Sequence, residues 1–104
     1  MAFDINKILS DMMSAAFGAA EKDIGEIPEY LKTVFENEKE ALRDLTEARL
    51  TKQISEKEFL HELEREKVIL ETELLTASIM TKAIAQKAIN AAMDVLKSAV
   101  KAII

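Results

Sequence analysis

The sequence contains no cysteine and no tryptophan, and only two glycines and one proline. The missing cysteine excludes disulfides, thiolate metal ligands and a cysteine nucleophile, and fits a cytoplasmic setting. So little Gly and Pro leaves little turn chemistry from which to build a β fold. Phe and Tyr supply only five rings, so the core must be built from Ala, Leu, Ile, Val and Met. Cations are outnumbered as well: nineteen acids face fourteen Lys and Arg, for a formal net charge of −5. That balance argues against nucleic acid as a partner. No window long enough to span a membrane is free of charge. Asp4, Lys7 and Asp11 interrupt the first twenty residues, and Lys82, Lys87 and Asp94 interrupt the run after Leu74. The opening also lacks the basic start and unbroken apolar core of an export signal.

What is present is a helical rhythm in a chain of 104 residues, the size of one domain. Ile5, Ile8, Leu9, Met12 and Ala16 recur at helical spacing behind Asp4, a natural N-cap, and predict a helix over about 5–21. Gly25 and Pro28 mark a bend and then a second helix over about 28–52. The apolar stripe of this helix includes Val34, Phe35, Leu42 and Leu45, with Glu38 as its one polar member. Ser55 and Glu58 have the spacing of a capping box and open a third helix. No Gly or Pro follows from Ser55 to Ile104, so the third helix is expected to run unbroken over about 55–103, a rod ~75 Å long. A break near Thr76–Thr81, giving a compact monomeric four-helix bundle, is the competing arrangement. Nothing in Thr-Ala-Ser-Ile-Met-Thr is a strong breaker, so the rod is the expectation.

The fold class predicted is therefore all-α, a single-domain long antiparallel helical hairpin. The first two helices lie end to end along the third, with the small residues Ala15–Ala20 against about Gln86–Ala91. Such a hairpin leaves a second apolar face of Leu74–Ile104 uncovered. Pairing of two copies would close it into a four-helix-type bundle. The interface so predicted comprises Met12, Phe17, Leu75, Ile79, Ile84, Ile89, Met93, Leu96 and Val100.

Chemistry is sparse. Glu58 and His61 form a Glu-x-x-His pair, which sets a carboxylate and an imidazole on one helix face as di-iron bundles do. Glu62 stands beside them and Glu47 across the hairpin. The capping box already accounts for Glu58, and His61 lies in a charged surface stretch. These four stay metal candidates only, and no cofactor or catalytic residue is assigned. Glu64–Glu66 and Glu71–Glu73 read as solvated charges. Charge changes sign along the chain, from −7 over residues 21–73 to +3 over residues 74–104. The basic, apolar C-terminal stretch has the look of an interfacial helix, yet no aromatic residue after Phe59 anchors it. The function expected is that of a non-enzymatic, self-associating helical interaction protein, partnered by itself or by another helical protein. A ferritin-like metal-binding bundle and a lipid-surface-binding protein are the alternatives.

Overall fold

The computed structural model describes residues 4–19, 27–77 and 81–103. They form five helices: α1 (Ile5–Ala19), α2 (Ile27–Asn37), α3 (Lys39–Leu50), α4 (Glu56–Ala77) and α5 (Lys82–Ile103). No strand occurs among the described residues. The bend expected near Asp23–Glu26 lies outside them, as does the end of the first helix at residues 20 and 21.

Helix starts have local causes. The Asn6 amide donates to Asp4 Oδ1 at 3.0 Å, so Asp4 caps α1. The Glu58 amide donates to Ser55 Oγ and the Ser55 amide to Glu58 Oε1, both at 3.1 Å, a reciprocal capping box at the head of α4. Thr81 Oγ1 accepts the Ile84 amide at 3.3 Å and caps α5.

The connection from α3 to α4 closes without glycine. Lys52 adopts the left-handed region at φ 64°. Its amide donates to the Arg49 carbonyl at 3.1 Å, and the Gln53 amide to the Ala48 carbonyl at 2.8 Å. These are the two bonds of a Schellman motif, with lysine where glycine is usual.

Two expectations about helix length are corrected. The third helix is not a rod but two helices, α4 ending at Ala77 and α5 beginning at Lys82, packed on each other. The longest extent of the molecule is 39 Å, half what an unbroken helix of that length requires. Folding back is favoured because it lets one segment cover the apolar face of the other, a global gain that no local breaker needs to announce. The second helix is interrupted too: Glu38 separates α2 from α3 with φ −103° and ψ 8°, and no side-chain cap is formed there.

Taken as one broken rod, α2 and α3 complete a four-rod bundle. α1 packs most extensively on α5 and also on α2; α2 and α3 pack on α4; α4 packs on α5. The ring thus closes within a single chain, where two copies had been expected to meet. The expected packing of the first helix on the C-terminal segment is present, with Ala16, Ala85, Ala88 and Ala92 fully buried. Phe35, Leu42, Leu63, Leu70, Leu74, Ile89 and Leu96 fill the rest of the core.

Candidate functional site

The most unusual chemistry in the bundle is a group of carboxyls at the break in the second rod. Glu38 sits between α2 and α3 and faces Glu66 and Glu73 on α4. Seven residues separate Glu66 from Glu73, about two turns, so both lie on the same side of α4. All three are half-buried. Burial raises the pKa of Glu66 above the ordinary glutamate value, and the carboxyls of Glu38, Glu62 and Glu73 push it the same way. Glu73 is raised by burial and by Glu38. Glu66 and Glu73 each hold one carboxylate oxygen out of water with no hydrogen-bond donor to meet it. Protonation of either carboxyl removes the charge that burial disfavours, in keeping with the upward direction of both shifts. The reading of Glu66 and Glu73 as solvated charges is therefore corrected: Glu64 is solvated, while Glu66 and Glu73 are half-buried and face Glu38 at the α2–α3 break. The signal in the sequence was Glu38, the one polar residue in its apolar stripe.

The four metal candidates do not converge. Glu58 is held in the capping box, and Glu62 binds Arg65 at 3.3 Å. Glu58, His61 and Glu62 line a groove of about 550 Å³ with Leu45, Ala48, Ile54 and Lys57, and Glu47 is not part of it. Among the described residues, no three His, Asp or Glu side chains are arranged to hold a metal ion, the carboxyls around Glu38 included.

The nine residues predicted for an oligomer interface are dispersed. Met12, Ile89, Met93, Leu96 and Val100 lie inside the core of their own chain. Leu75 and Ile84 are half-buried against that core. Phe17 is exposed, and Ile79 lies outside the described residues. The face that the hairpin would have left open is covered once α5 folds onto α4 and α1.

Two surface features were not anticipated. Val68 and Ile69 stand out on the outer side of α4, 59% and 40% exposed. At one end of the bundle a cavity of about 380 Å³ is lined by Arg49, Glu56, Phe59, Leu60, Lys97, Val100 and Lys101. No described helix is long and apolar enough to cross a membrane. Compared with protein-family models, curated proteins and solved structures, the chain matches none.

Proposed function

We propose that the protein is a non-enzymatic helical interaction protein that pairs with a second copy of itself through the outer face of α4. The observation that carries this reading is the exposure of Val68, the most exposed large apolar side chain among the described residues, with Ile69 beside it. Neither gains from the fold what an apolar side chain gains by leaving water. His61 and Val68 stand seven residues apart on the exposed side of α4, the spacing of a helix-pair seam, and Leu75, seven further on, is half-buried against the core where that line ends.

An antiparallel pairing of two α4 helices centred on Val68 matches residues whose numbers sum to 136. It sets Arg65 opposite Glu71 of the partner subunit, and twofold symmetry repeats that contact on the other side. A guanidinium set against a carboxylate across the seam is a charge-assisted contact, stronger than a neutral hydrogen bond and specific in its geometry. One helix pair is a small contact, and association is expected to depend on concentration.

Light scattering coupled to size exclusion across a dilution series tests the pairing. The wild-type chain should show twice the chain mass when concentrated, and Val68→Glu should abolish this. Arg65→Glu should weaken the pair, and adding Glu71→Arg should restore it. A wild-type chain of single mass at every concentration would refute the reading.

A further inference from the structure

We propose that the cavity at the end of the bundle binds a small aliphatic carboxylate, a medium-chain acyl anion. The cavity lies where α3 stops, α4 starts and α5 approaches its end. Its floor is apolar, formed by the buried side chains of Phe59 and Val100. Leu60 stands at its lip 40% exposed, an apolar residue that the bundle itself does not cover. Around it are three cations and one acid: Arg49 from α3, Lys97 and Lys101 from α5, and Glu56 from α4.

Three observations select an anion with an apolar body. First, the lining carries a formal excess of two positive charges in a chain of net charge −5. Second, no ion pair among the described residues involves Arg49, Lys97 or Lys101. Lys97 and Lys101 are also four residues apart on one helix, a like-charge spacing that costs helix stability unless an anion comes between. Third, Arg49 is already steadied, donating to the Ile54 carbonyl at 3.4 Å. A guanidinium has five donors, so others stay free to hold a carboxylate.

Size sets the length of the ligand. The volume lies near the lower end of the ~300–1,000 Å³ typical of ligand sites, which suits a tail of about eight to twelve carbons and not a full phospholipid. The carboxylate would rest among Lys97, Lys101 and Arg49, with the tail over Phe59, Leu60 and Val100.

Calorimetric titration of the intact chain with octanoate, nonanoate and decanoate, below their micelle concentrations, tests the site. The expected result is saturable binding of one ligand per chain, tightening about fourfold for each methylene added. Lys97→Glu/Lys101→Glu should weaken decanoate binding at least about tenfold, and Leu60→Gln should weaken it while leaving the circular dichroism unchanged. Lys32→Glu, on α2, should bind as wild type does. Absence of saturable binding at millimolar decanoate would overturn the proposal. So would competition by inorganic phosphate at equal strength, which would mean a site for charge alone. Co-sedimentation with anionic phospholipid vesicles, without binding of free decanoate, would overturn it in favour of a membrane surface.

Discussion

Glu38, at the break between α2 and α3, and Glu66, on α4, face each other carboxyl to carboxyl, and burial raises the pKa of Glu66. A carboxyl whose pKa is higher in the fold than in the unfolded chain binds protons more tightly when folded. Its stabilising contribution is complete below the unfolded value, about 4.3, and is lost as pH rises through the raised folded value. Glu73 acts in the same direction. Glu66→Gln, which removes the charge and gives Glu38 a permanent donor, should therefore stabilise the protein at pH 7 by a few tenths to about 1 kcal/mol after solvent screening. The gain should shrink as the pH approaches 4. Urea unfolding at several pH values checks this; a variant equally displaced from wild type at pH 4 and pH 7 would contradict it.

Lys52 offers a second test, because it holds a left-handed backbone that glycine adopts without cost. It is exposed, and only its backbone amide is engaged in the Schellman bonds. Lys52→Gly should raise the urea midpoint by the equivalent of roughly 1 kcal/mol with an unchanged slope. Lys52→Ala, which keeps the strain, should leave the midpoint within a few tenths of a kcal/mol of wild type.

Thr46 is fully buried on α3, and its hydroxyl has no hydrogen-bond partner. Valine has the same shape without the polar group. Thr46→Val should stabilise the bundle by roughly 1 kcal/mol, since an unmade hydrogen bond in the core costs about that much. Thr46→Ser keeps the hydroxyl and loses the methyl, so it should destabilise. Thermal unfolding of the two variants side by side distinguishes these outcomes, which have opposite signs.

Features decided within one turn of chain could be read from the sequence. Asp4 and the Ser55–Glu58 pair act on amides two or three residues away, and both caps form as their spacing implies. The apolar periodicity of Ile5 to Ala16 marked the buried face of α1 for the same reason. The separation of α4 from α5 was legible only as the competing arrangement, because rod and fold-back differ in which distant faces meet. Thr76, Ser78 and Thr81 weaken helix propensity there without being strong breakers, and Thr81 caps α5. The end cavity was illegible for the same reason, since Lys97, Val100 and Lys101 reach Arg49 and Phe59 only when α5 folds back. Glu38 is the intermediate case: its place in an apolar stripe showed the anomaly, and the fold supplied Glu66 and Glu73 as the groups it meets.

Everything proposed for the surface rests on α5 folding back along α4, and the separation of residues 60 and 101 measures this directly. Leu60 and Lys101 line the same cavity, whereas an unbroken helix would hold them ~60 Å apart. Spin labels placed at these two positions, in protein diluted with unlabelled chain, report the distance within one molecule. The fold-back predicts a single short distance, under about 25 Å once the reach of the labels is allowed for. A distance near 60 Å would contradict it, and with it the end cavity and the closure of the bundle within one chain.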